Sequence, residues 1–371
     1  MNRHRRFHTV SAVVCASVMA GFSGFTTSAR QASTAATGSV CDITTTERVV
    51  AVGDVHGAYD RFIAILREAG LIDGRQRWTG GRAVLVQTGD VLDRGADSRK
   101  VMDLLRRLET EASRAGGRVI ALLGNHEVMR IIGDLRYVSA GEYAAFKTPE
   151  STDLRDRYYQ AVLADEKKRA KAAGQPLDER AFRDDFVGRF PLGSIEMQMA
   201  FAADGEYGRW LRGHDTMAMV NGVVFLHGGT TQAVAAMGCA AVNAKVKSEL
   251  ATAKISDPNI DKTLLAASDG PLWYRGLVEE PPAVDAESLD SILRSLKARG
   301  IVVGHTVALG KLRQTFEGRV TQIDTGMLNG EFYPGGAPSA LEILSGTFTA
   351  IYIGKREVIS RPVAAERSAL R

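Results

Sequence analysis

The feature that most constrains this chain is a unit met three times near its start: a short apolar run ending on a polar cluster, then a helical pattern. Residues 48–53 are β-branched and end on Asp54; residues 58–69 follow with Phe62, Ile65 and Leu66 on one helical face. Residues 83–87 form a second run ending near Asp90, with a helix expected over 98–114. A third run, 118–123, ends on Asn125 and His126. Strand–helix alternation of this kind requires crossover connections and hence a largely parallel sheet within an α/β fold. Ligands of such sheets gather beyond the carboxyl ends of the strands, where all three clusters fall.

The later chain varies the theme. Residues 133–206 are charged and poor in β-branched runs, and Tyr158, Tyr159, Phe182, Phe186 and Phe190 recur at helical intervals. This segment reads as a helical insertion over the site; the alternative is that it belongs to the helical flank. Strands are expected at 217–220 and 223–226, a helix over 231–251, a helix over 289–299 and a strand at 301–303. The tail alternates short strands with turns such as Glu317-Gly318 and Ser345-Gly346, which predicts an antiparallel second sheet.

The N-terminus differs in kind. Arg3, Arg5 and Arg6 precede an apolar run from Val10 to Phe25, and Thr27-Ser28-Ala29 offers small residues for cleavage. That order is expected of a secretory signal peptide over 1–29, with a secreted or periplasmic product. A single membrane anchor is the alternative, though Ser, Gly and Thr interrupt the run; no stable membrane insertion is expected after cleavage. Residues 30–46 read as a flexible segment, 47–360 as one catalytic domain and 361–371 as a tail. Of 47 Lys and Arg, the three in the leader depart with it, leaving 44 against 43 acidic residues. Charge therefore gives no basis for a nucleic-acid partner. Two cysteines remain after the leader, Cys41 and Cys239. In an oxidising compartment they form either one disulfide or two partly buried thiols.

Five motifs carry the chemistry: Gly53-Asp54-Val55-His56-Gly57, Gly89-Asp90-Val91-Leu92-Asp93-Arg94-Gly95, Gly124-Asn125-His126-Glu127, His227-Gly228-Gly229 and Gly304-His305-Thr306. Any one alone is a polar strand terminus or a turn. Together they supply oxygen and nitrogen ligands for two divalent ions, with no thiolate, a set that suits Mn, Fe, Zn or Co. Phosphate-ester hydrolysis needs a strong nucleophile at neutral pH, and two ions about 3.5–4 Å apart can generate and share hydroxide. Asp90 is the best bridging carboxylate. Asp54 and His56 complete one ion's set, and Asn125, His227 and His305 the other's.

In these motifs and their order the chain resembles the PPP-type phosphatases among the calcineurin-like metallophosphoesterases, and within them the bacterial Shewanella-like phosphatases. The resemblance implies a four-layer αββα sandwich and single-step attack by a metal-bridging hydroxide. It also implies that His126, oriented by Asp93, is the acid that protonates the leaving alkoxide. Arg94 and Arg275 then grip the phosphate together with Asn125; the bland reading of Arg275 is a surface salt bridge. His214 and Asp324 are expected behind the ligands and not among them. A metal-dependent phosphomonoesterase acting on phosphoprotein or a small phosphoester follows as the leading function. Hydrolysis of dinucleoside polyphosphates or other diesters on the same site is the alternative, and a non-catalytic scaffold the third reading. The motifs say nothing about oligomeric state.

Overall fold

The structure, a computed structural model, describes residues 39–330 and 332–360. The expected signal peptide and the 361–371 tail lie outside the described residues.

In chain order the elements begin β1 (Val49–Val52), α1 (Tyr59–Glu68), β2 (Val84–Gln87), α2 (Ser98–Arg114), β3 (Arg118–Ala121) and α3 (Asn125–Ile132). A helical stretch follows: α4 (Ala140–Ala145), α5 (Ser151–Ala172), α6 (Glu179–Arg189), α7 (Ser194–Phe201) and α8 (Glu206–Gly213). Then come β4 (Met217–Val220), β5 (Val223–Leu226), α9 (Gln232–Met237), α10 (Cys239–Leu250), α11 (Ala286–Leu296) and β6 (Gly300–Val303). The chain closes with β7 (Arg313–Thr315), β8 (Val320–Gln322), β9 (Ser339–Leu344), β10 (Thr347–Tyr352) and β11 (Lys355–Ser360).

Two mixed sheets result, ordered β11-β10-β9-β1-β2-β3 and β4-β5-β6-β8-β7. Strands β1, β2 and β3 are mutually parallel, as are β5, β6 and β8. Alternate side chains explain the layering. Val49 and Ala51 of β1 join Phe225 and Val302 of the opposite sheet, whereas Val50 and Val52 face Phe62, Leu66 and Leu105 of α1 and α2. On the far side Val224, Leu226 and Val303 pack against Val242, Val246 and Ile292. The order of layers is helices, sheet, sheet, helices. Strands buried on both faces are largely apolar, which is why β1 and most of β2 read as apolar runs.

Three expectations are corrected. The C-terminal strands divide between the sheets: β7 and β8, joined through Glu317-Gly318, pair antiparallel in the second as expected, whereas β9, β10 and β11 extend the first through β9 against β1. The helix expected over 231–251 is two, because Gly238 adopts φ 78° and breaks it. Residues 40–46, expected to be flexible, are held along the edge of β4. Met219 donates to Val40 O at 2.8 Å, Ile43 donates to Met219 O at 3.0 Å, and Asn221 brackets Thr45 with both its amide atoms.

A disulfide joins Cys41 to Cys239 at the start of α10. Closing so long a loop restricts the unfolded chain, so Cys41→Ser with Cys239→Ser is expected to cost roughly 2–4 kcal/mol, read as a lower urea midpoint, with a larger m-value because the freed unfolded chain exposes more surface.

The segment over 133–206 proves to have two parts. Phe146, Met197 and Phe201 join the helical core that covers the first sheet, while Tyr159, Leu163 and Phe186 form a separate small cluster with Tyr158, Phe182 and Phe190. The aromatic spacing thus marks the α5–α6 hairpin. The segment reaches the site through Tyr137 and Glu142. No described helix is long and apolar enough to cross a membrane.

Candidate metal centre

All five motifs meet where β1, β2, β3, β5 and β6 end, each strand delivering its side chains through a sharp turn. His56, Asp90, Asp93, Arg94 and His305 take φ between 47° and 69°. Left-handed backbone at non-glycine residues costs about 1–3 kcal/mol each and persists where the surroundings enforce it. Here the enforcement is visible. Asp90 O accepts from the N–H groups of Val55 and His56, both at 2.9 Å, tying the first motif to the second. The Glu127 carboxylate accepts from Asp90 N and Gly124 N at 2.7 Å and Val91 N at 2.9 Å, tying the second to the third. Two glycines are required by close approach: a Cβ on Gly124 would lie 2.2 Å from Asp90 Oδ1, and one on Gly304 2.5 Å from Asp54 Oδ1.

Around Asp90 the candidate ligands converge. Asp90 Oδ2 lies 3.6 Å from His56 Nε2, 3.3 Å from His227 Nε2 and 3.8 Å from His126 Nε2. His227 Nε2 is 2.8 Å from Asn125 Oδ1 and 3.1 Å from His305 Nδ1. Asp54 Oδ2 is 3.8 Å from His56 Nε2, and Asp54 Oδ1 accepts the His305 N–H at 2.9 Å. Two imidazoles are turned inward by carbonyls on their other nitrogen: His56 Nδ1 meets Leu92 O at 2.8 Å and His227 Nδ1 meets Thr88 O at 2.9 Å. Such partners orient metal-binding histidines.

Burial and mutual interaction perturb the ionisable groups of the centre strongly. Burial, then the neighbouring Asp324 carboxyl, holds Asp54 well above the usual carboxylate range. Burial likewise raises Asp324 to about 6. Burial acts to lower His227, yet Asp90 and Asp54 outweigh it and raise the imidazole to about 9. His305, by contrast, is lowered to about 2 by burial and by His227, and His56 to about 3, chiefly by burial. Buried carboxylates thus borrow protons to offset one another, while His305 Nε2 is buried with no hydrogen-bond partner. Divalent ions would meet both deficits. The groups His56–Asp90–His126 and Asp90–His227–His305 each have the proximity to hold an ion, and Asp90 belongs to both.

His126, a member of the first group, has Nδ1 2.7 Å from Asp93 Oδ2 and Nε2 3.8 Å from Asp90 Oδ2. Arg94 contacts His56 Nε2 and the Tyr333 hydroxyl, between the rings of Tyr137 and Tyr333 at 5.6 and 5.5 Å. Arg275 donates to His305 O at 2.8 Å and to Thr306 Oγ1 at 3.1 Å, so its partners belong to the site and not to a surface salt bridge. Asp324 Oδ1 accepts from Gly326 N at 2.9 Å behind Asp54. His214 packs edge-on to Trp210, 3.8 Å from Glu109, and shares only a small gap with Gln87 and Glu127. It lies between the helical layer and Glu127, behind the ligands; burial lowers it to about 3. Sequence reasoning missed Glu127, Arg130, Glu142, Tyr137 and Tyr333. Only Glu127 carried a signal, its place inside the Gly-Asn-His-Glu motif.

A two-sheet sandwich whose strand ends gather carboxylates, imidazoles and arginines over a shared aspartate defines a metal-dependent phosphoester hydrolase. The chain belongs to the calcineurin-like phosphoesterases, whose family model matches residues 47–309. It is 30% identical over 325 residues to Shewanella-like protein phosphatase 2 of Arabidopsis thaliana, covering 86% of this chain and 79% of that one. The solved cold-active protein-tyrosine phosphatase of a psychrophilic Shewanella species matches with a TM-score of 0.64 at 26% identity, covering 86% and 84%. A shorter likeness, 35% over 77 residues, joins it to a symmetrical bis(5'-nucleosyl)-tetraphosphatase of Cronobacter sakazakii, covering 21% and 22%.

Proposed function

We propose that this chain is an exported phosphomonoesterase with a dinuclear metal centre, acting on phosphorylated proteins or small phosphoesters. Asp54, His56 and Asp90 would hold one ion; Asp90, Asn125, His227 and His305 would hold the other. When bound, the ions supply a nucleophile from water at neutral pH and positive charge for the phosphoryl oxygens, in whichever of Mn, Fe, Zn or Co is present. Arg94 and Arg275, from opposite sides, offer planar forks to the same oxygens, and Asn125 adds an amide donor. His126 gives its Nε2 proton to the departing alkoxide, while Asp93 on Nδ1 fixes the ring and stabilises its charged form.

The observation that carries this reading is the divided role of the two neighbours: Asn125 faces His227, whereas His126 is bound to Asp93 at 2.7 Å. Two arginines also favour a dianionic monoester over a monoanionic diester. The names of the phosphatase relatives support the same class. Export is supported by the basic, apolar leader and by the Cys41–Cys239 disulfide, a bond of oxidising compartments.

The short likeness to a tetraphosphatase keeps dinucleoside polyphosphate hydrolysis as the second reading. Metal-reconstituted protein separates the two. Turnover of p-nitrophenyl phosphate is expected to exceed that of its bis ester and of diadenosine tetraphosphate; faster turnover of either of the latter would decide for the second.

A further inference from the structure

We propose that Arg130 is a positioning residue for leaving-group protonation: its guanidinium, anchored by Glu142, fixes the Asp93 carboxylate that aims His126. This rests on the reading of His126 as the acid.

Arg130 sits four residues after His126 on α3, so both side chains leave the same helical face. It is buried, with a side chain 2% exposed. Its Nη2 contacts Asp93 Oδ1 and lies 3.2 Å from Glu142 Oε1. The other Asp93 oxygen is the one that holds His126 Nδ1. Glu142 Oε1 also accepts the Asp93 backbone N–H at 3.2 Å, and its Oε2 accepts from Ser139 N, which caps α4. Backbone and side chain of Asp93 are therefore gripped from one carboxylate, directly and through the arginine. The grip is needed where it falls, because Asp93 has φ 69° and no regular element to hold it. Phe201 of α7 covers the guanidinium at 4.9 Å, and Met197 Sδ lies 3.3 Å from Nη1.

A buried guanidinium between two carboxylates is a poor source of stability, since apolar replacements of such triads are often neutral or better. One nitrogen, Nη2, held between two carboxylates does fix orientation, and orientation is what the acid requires. In the balanced step, water supplies the oxygen of the new P–O bond; one of its protons stays on the product phosphate and the other passes to solvent, from which His126 is afterwards reprotonated. The P–O bond to the alcohol breaks with its electron pair on oxygen, and that oxygen takes the His126 Nε2 proton. A misaimed imidazole harms this step in proportion to how badly the leaving oxygen needs a proton.

The test is Arg130→Lys, which keeps the charge and loses the planar guanidinium that presents Nη2 to both carboxylates, beside Glu142→Gln and His126→Asn. Each is assayed on 2,4-dinitrophenyl, p-nitrophenyl, phenyl and alkyl phosphates, with metal content measured. For Arg130→Lys we expect kcat on the phenyl and alkyl esters to fall about 10- to 100-fold, within the range of general-acid effects. The dinitrophenyl ester should change less than about threefold, with KM and metal content held. Glu142→Gln should show the same slope more weakly, and it carries the test should the lysine variant not fold. A uniform loss across the esters, or no loss, overturns the positioning role. Should His126→Asn itself lose all esters equally, the acid assignment fails; a steep slope in His126→Asn alone confines the failure to Arg130.

Discussion

Asp90→Asn is expected to remove hydrolysis and metal retention together, with turnover down on the order of 10³-fold or more. An electrostatic loss of about 4 kcal/mol corresponds to that factor. Asp90 belongs to both candidate metal groups, and three imidazole nitrogens lie within 3.8 Å of its Oδ2. Asparagine keeps the size and the Oδ1 that accepts the His126 N–H at 3.0 Å, so the turn survives. What vanishes is the charge. His227, raised to about 9 with Asp90 as its largest opponent of burial, would then fall toward neutrality. Kinetics on metal-reconstituted protein and elemental analysis of one sample check both halves.

His126→Asn is expected to separate from that behaviour. Loss of a positioned acid costs about 10²–10⁴-fold on esters of weakly acidic alcohols, while activated aryl esters, whose leaving group needs no proton, suffer far less. Metal content should stay at the wild-type value, because Asn125, His227 and His305 converge without it. Comparing an alkyl with a 2,4-dinitrophenyl phosphate gives the reading. Equal losses on both would mark His126 as a ligand, the role its 3.8 Å approach to Asp90 makes conceivable.

Much of the site was legible because its residues follow their strands directly. Burial on both faces makes β1 and most of β2 apolar, β3 carries a similar pattern from Val119, and the polar motif after each strand falls at its carboxyl end. Pairing partners were not legible in the same way. Nothing local in 339–344 says whether that strand joins β1 or the second sheet, because the choice depends on a contact far along the chain. Polar residues 40–46 read as flexible for a similar reason, since their order comes from β4 and a disulfide. Gly238 inside a helical pattern offered a break, yet isolated glycines are tolerated in helices often enough to hide it. Arg130 and Glu142 were invisible: a charged residue in a helix normally faces water, and only tertiary packing makes these two buried. Asp54, His56, Asp90, Asn125, His227 and His305 came from motif and order; the network that aims them came from the fold.

The central claim is a dinuclear centre bridged by Asp90, and metal stoichiometry tests it most directly. The protein, reconstituted with Mn, Fe, Zn or Co and freed of excess ion, should carry two ions per chain when fully active, and Asp90→Asn fewer than one. A wild-type protein fully active with a single ion, or an Asp90→Asn variant that keeps two, would contradict it.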